Sequence, residues 1–215
     1  MNFGVYSRLP KKPCLTDEIR YNAMKYTAAL LFMFLSVPVF AQDLVDHYYE
    51  FGGALTEGRE SSALMLAEKI LPEVSALSEK RQAIFYYKLA GLHENMKNMD
   101  QAILFYEKTL KLEPDYYVPH MALGYLYISK ANLVVPKING EKDKLARDKH
   151  IREYSSYMKK AIPFFEKAMA CDPNDQLLAS IKNCYTSLKD PAGFSSLNSR
   201  LKGLEQNCVT LLKED

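Results

Sequence analysis

The stretch Ala102–Pro114 (AILFYEKTLKLEP) returns later as Ala161–Pro173 (AIPFFEKAMACDP). Of the 13 paired positions six are identical, and Tyr106 with Phe165, Leu110 with Met169 and Glu113 with Asp172 exchange like for like. Chance supplies roughly one match in 15 to 20 per position at ordinary residue usage, so the chain carries an internal repeat. Self-similarity of this kind points to a solenoid of stacked units, because one such unit cannot bury its apolar face alone.

Ahead of Ala102 lies Tyr86-x-x-Leu89-Ala90-x-x-His93, and 34 residues further on lies His120-x-x-Leu123-Gly124-x-x-Tyr127. Apolar or small residues three and four apart make one stripe of a helix, so each unit reads as helix, tight turn, helix. This pattern resembles the tetratricopeptide repeat, a helical hairpin with a large residue, Leu, a small residue and an aromatic on its first helix. Its second helix carries Ala, an aromatic, a small residue and a closing Pro. The first copy matches at Tyr86, Leu89, Ala90, Ala102, Tyr106 and Pro114, and departs at His93 and Thr109. The second matches at Leu123, Gly124, Tyr127, Ala161, Phe165, Ala168 and Pro173, with His120 in place of the first aromatic. The likeness is strong over 83–175 and weak in the flanks.

What the resemblance implies is an all-α, right-handed solenoid of antiparallel helix pairs, about four hairpins long. Small residues such as Ala90, Ala102, Gly124 and Ala161 belong where two helices approach closely, and the rings of Tyr106 and Phe165 belong between hairpins. First helices of such proteins line a groove for extended peptides or partner helices. Carried onto this chain, the groove positions are Ile84, Tyr87 and Gly91 in one copy and Val118, Met121 and Tyr125 in the next. These are apolar, small or aromatic, which disfavours a clamp for a C-terminal carboxylate and suits an apolar or aromatic segment. The competing reading is that the insertion described below, or a second copy of the chain, covers them.

In chain order, residues 1–23 read as an upstream extension, with translation starting at Met24. Residues 24–41 have the layout of a secretory signal peptide: Lys25, an apolar run from Ala28 to Phe40, and small residues at Val39 and Ala41, with cleavage expected after Ala41. The run is short for a membrane span. Export to a bacterial periplasm or medium follows as an expectation, with no stable membrane span after cleavage. Residues 42–215 form the helical domain: a degenerate capping hairpin over 43–72, a linker over 73–82, a repeat over 83–116, an interrupted repeat over 117–175 and a closing hairpin over 176–206. The interruption follows from spacing, since the matching second helices lie 59 residues apart against 34 for the first helices. It falls near 130–155, with 132–140 reading as an extended loop that turns at Asn139-Gly140. The stretch 130–153 holds seven basic residues against four acids, a solvated extension or a docking surface for an acidic partner. Pro163 should kink or restart any helix that reaches it.

Past Ala41 the chain has 23 basic and 24 acidic residues, against a net +2 for the whole. Such balance argues against nucleic acid as the main partner. Cys171, Cys184 and Cys208 remain as buried free thiols or with one disulfide, for which Cys171–Cys184 is a candidate pair. The four histidines stand singly, without metal-ligand spacing, and His93 and His120 read as packing residues. With no phosphate loop, nucleophile elbow or supported carboxylate pair, the reading is a non-enzymatic scaffold with no cofactor and a protein or peptide partner. A structural subunit of an envelope complex or homo-oligomer is the alternative.

Overall fold

A computed structural model of the chain describes residues 38–213, with side chains from Gln42 onward. The chain divides into two units, 1–45 and 46–215. Of the first, only 38–45 are described, as helix; the expectations for residues 1–37, including most of the signal segment, lie outside the described residues.

Among the described residues there are nine α-helices and one 3-10 helix. Helix α1 (Pro38–Thr56) and α2 (Glu60–Ile70) are joined by a turn at 57–59, where Gly58 adopts φ +70°, a left-handed conformation open to glycine. The next pair is α3 (Glu79–Asn95) and α4 (Met99–Leu112), followed by α5 (Tyr117–Gly140) and α6 (Lys144–Cys171). The chain closes with α7 (Asp175–Ser187), α8 (Pro191–Ser195) and α9 (Leu197–Leu204). The fold is all-α and tetratricopeptide-like. Side chains of Ser78, Asp143, Asn174 and Asp190 cap the starts of α3, α6, α7 and α8 by accepting backbone N–H groups. Both second helices end alike: Glu113 and Asp172, each before a proline, leave the helical region at φ −131° and −140°.

Two local expectations are corrected and a third is narrowed. The supposed linker over 73–82 contains most of a 3-10 helix, Leu71–Ala76, and the start of α3, and it buries Val74 and Leu77. Residues 132–140 are helix rather than loop: α5 continues to Gly140 because Tyr127, Ala131 and Val134 extend the buried stripe against α6. The turn falls at 141–143, so the insertion lengthens both helices of one hairpin. Pro163 does not start a new helix, since α6 runs unbroken across it. Its ring lies on the exposed face, and the packing of Met158, Ala161 and Phe165 on either side outweighs the one missing amide.

The core contains the residues assigned to repeat packing except the two closing prolines. Leu89, Ala90, Ala102, Leu123, Ala161, Phe165 and Ala168 are fully buried, Gly124, Tyr106 and Tyr127 nearly so, and Pro114 and Pro173 are exposed at their turns. A Cβ placed on Gly124 would stand 2.6 Å from the Phe165 ring, so glycine there lets α5 and α6 close around that ring.

Candidate functional site

The groove positions do not share one environment. Ile84 is buried at 6% exposure, which corrects its assignment to an open groove: on α3 it faces the core with Phe85 and Leu89. Tyr87 is half-buried and packs edge-on against Tyr116, with centroids 5.2 Å apart, and at a tilt against Tyr106 at 6.1 Å. Gly91 lies beside Tyr106. On α5, Val118, Met121 and Tyr125 are half-exposed and fall three and four residues apart, hence on one face. Tyr125 meets Phe165 edge to face at 4.9 Å, which fixes its ring from below. The structure therefore brings Tyr87 to the start of α5 through Tyr116, and groups Val118, Met121 and Tyr125 along that helix.

Burial dominates the titration of Tyr106, Tyr116 and Tyr117. It pushes the Tyr106 phenol well above its ordinary 10.0, aided by Glu94, to which Tyr106 Oη donates at 2.8 Å. Tyr116 shifts the same way through burial and Tyr87, and Tyr117 through burial and the charge of Asp172. All stay neutral in ordinary buffers and act as packing surfaces with polar tips.

Beside this face is a polar assembly. The turn 113–117 joins α4 to α5, and four groups bind it. His120 Nε2 donates to the Pro114 carbonyl at 2.8 Å, and Lys167 Nζ to Asp115 Oδ1 at 2.7 Å. Val209 N donates to the Asp115 carbonyl at 2.8 Å, and Tyr117 N returns a bond to the Val209 carbonyl at 3.2 Å. Residues 205–213 thus double back over the turn, with Tyr116 and Val209 in a parallel bridge. Lys167, buried at 8% exposure, also donates to the carbonyls of Leu204 (3.1 Å) and Gln206 (3.2 Å) at the end of α9.

Cys208 is bonded to Cys171, with Cα atoms 5.5 Å apart, and Cys184 is free and buried. The candidate pair Cys171–Cys184 is thereby corrected: Cys184 faces the core with Ile181 and Tyr185, while the returning tail carries Cys208 to the end of α6. Burial pushes the Cys184 thiol up to about 11, which leaves it unreactive near neutrality. A second assembly locks the C-terminal helices. Arg200 donates from Nε to Glu166 Oε2 at 2.9 Å and from Nη2 to Oε1 at 2.7 Å, and Tyr185 Oη donates to the same oxygen at 2.8 Å. Glu166 is 5% exposed, and burial with the Glu166 contact pushes Tyr185 up to about 12. A signal existed for both assemblies, since Glu166-Lys167 repeats Glu107-Lys108, but nothing in the pattern told which copy would be buried.

A tetratricopeptide repeat family model matches residues 83–116. The match covers the first copy: α3 from Ala83 on, α4 and the turn that follows. No curated protein matches the chain. A repeat of this class points to a protein-interaction scaffold, and no enzyme family was found. Among the described residues no helix is long and apolar enough to cross a membrane.

Proposed function

We propose that this chain is an exported, non-enzymatic scaffold whose α5 face, Val118, Met121 and Tyr125 with Tyr87 at its edge, binds a peptide or protein segment bearing apolar or aromatic side chains. The observation that carries this reading is the half-exposed stripe on a first helix of a tetratricopeptide-like hairpin, with Tyr125 held in place by Phe165. Burial of a side chain such as Met121 contributes about 1.5–3 kcal/mol from area alone, enough for a measurable affinity from a few such contacts. The signal layout of 24–41 supports export, and a disulfide between Cys171 and Cys208 suits an oxidising compartment. The mature chain then begins at Gln42 in the bacterial periplasm or medium, and N-terminal sequencing of the exported protein that found residues before 42 would reject this.

The binding claim is tested by selecting displayed aromatic-rich peptides on the mature chain. Selected peptides should lose about tenfold or more in affinity with Met121→Asp, in line with the burial of one apolar side chain. Leu104→Asp, at an exposed position of α4, should leave them unchanged. Peptides indifferent to Met121, or a Met121→Asp protein whose oligomeric size falls instead, would replace this reading with the structural-subunit one.

A further inference from the structure

We propose that the Cys171–Cys208 disulfide is a redox latch: while it is closed the C-terminal tail occupies the strand-pairing edge of the turn 113–117, and a dithiol reductant frees that edge. The tail is held at three places of unequal kind. Lys167 grips its root through the carbonyls of Leu204 and Gln206. The disulfide fixes Cys208 to the end of α6. Beyond it the backbone pairing of Val209 with Asp115 and Tyr117 is a single bridge of two hydrogen bonds. Past the bridge Thr210, Leu211 and Lys213 are exposed, Leu211 at 62%, and Leu212 alone among 210–213 is half-buried. Two backbone hydrogen bonds exchange for bonds to water at small net gain, whereas ordering a segment of this length costs conformational entropy at every residue. The covalent link is therefore what keeps the bridge closed.

The opening step balances. One thiolate of the reductant attacks a sulfur of Cys171–Cys208 to form a mixed disulfide, and its second thiol resolves that intermediate. The S–S bond breaks, two electrons and two protons pass to the cysteines, and the reductant leaves as a disulfide. Cys184 takes no part, being fully buried. Opening exposes the Asp115 carbonyl and the Tyr117 amide, an unpaired edge of the kind that accepts an extended peptide, next in sequence to Val118 on α5. The consequence for partner binding rests on the groove reading above; the latch itself does not.

Hydrogen–deuterium exchange of the full chain, oxidised and after dithiothreitol with thiols counted by mass, tests the latch. Reduction should speed exchange in peptides covering 113–118 and 205–213 by about tenfold or more and leave 86–92 and 123–131 unchanged. Cys208→Ser should match the reduced state without reductant. Met121→Asp should leave the pattern intact, so the latch and the groove fail separately. Unchanged protection after complete reduction overturns the proposal, as does an oxidised protein in which Cys171 and Cys208 are both free thiols. Release of the tail by Lys167→Met with the disulfide intact would overturn it too, by making Lys167 the latch.

Discussion

The two repeats solve one packing problem with their residues exchanged. In the first, Phe105 of α4 lies between Tyr86 and His93 of α3, stacked on both, at 6.1 and 5.4 Å between centroids. In the second, Phe164 of α6 lies between His120 and Tyr127 of α5, at 5.8 Å from each. Tyrosine and histidine have traded ends of the sandwich. The planes of His93 and Phe105 meet at 11°, those of Tyr127 and Phe164 at 10°, so the histidine at the usual aromatic position is a working substitute. At that end the departure from the residue pattern is no departure in geometry; at the other, His120 meets Phe164 tilted at 48° where Tyr86 stacks on Phe105 at 17°.

What does differ is the neighbour each repeat meets. Glu107 is exposed and accepts from Tyr127 Oη at 3.0 Å; its counterpart Glu166 is buried and accepts from both Tyr185 and Arg200. Lys108 lies over the rings of Tyr86 and Phe105 at 5.0 and 5.3 Å, while Lys167 turns to Asp115 and the tail. The Glu-Lys pair is a connector, whose Glu reaches the tyrosine of the following helix in both copies, and it becomes buried where the closing helices fold over it.

The largest effects should come from the ring that Gly124 admits. Phe165→Ala should cost about 3–5 kcal/mol in urea denaturation. Gly124→Ala should cost about 1–3 kcal/mol through overpacking, and combining it with Phe165→Leu should recover part of that loss. Additive costs in the double variant would break the account of Gly124. The connectors come next. Glu166→Gln should lower stability by about 2 kcal/mol, because Arg200 loses a charged acceptor, whereas Glu107→Gln should cost less than about 1 kcal/mol at its exposed site. Equal costs would mean that the closing helices do not bury the second connector in solution.

The smallest expected effect concerns the exchanged histidines. Burial lowers both His93 and His120 below the ordinary 6.5; beside His120, Lys167 also lowers it while the Pro114 carbonyl and Asp115 oppose. The buried Nδ1 atoms of both rings have no hydrogen-bond partner, so a proton there would be uncompensated. Well above pH 6.5 folded and unfolded states both hold neutral rings and the full stability is present. As pH falls below that value the unfolded chain takes up protons first, and stability declines. Thermal unfolding between pH 7 and 5 should show this slope, reduced by His93→Phe and by His120→Phe; an unchanged slope in both variants would remove the histidines as its source.

Much of the scaffold was legible. The spacing of Tyr86, Leu89, Ala90 and His93 placed α3, and the repeat of Ala102–Pro114 placed two second helices; small residues where helices close pointed to Gly124, but Phe165, expected between hairpins, packs on α5 of its own hairpin. The insertion was legible as a length and misread as a loop, because Pro136 and Asn139-Gly140 are local signs of a turn while the burial of Ala131 and Val134 is tertiary. Of the groove positions carried over from the resemblance, Val118, Met121 and Tyr125 lie half-exposed on one face of α5, whereas Ile84 is drawn into the core.

The repeat pattern by itself determined the helix pairs and their order, since each helix is read from stripe residues close in sequence. Only the tertiary structure decided that Cys171 joins Cys208, that Lys167 and Glu166 are buried while Lys108 and Glu107 are not, and that the tail returns to Asp115. Each of those depends on a chain segment tens of residues away arriving at one place. Periodicity carries no record of such meetings, because helical spacing states which face a residue occupies and not what will later cover it.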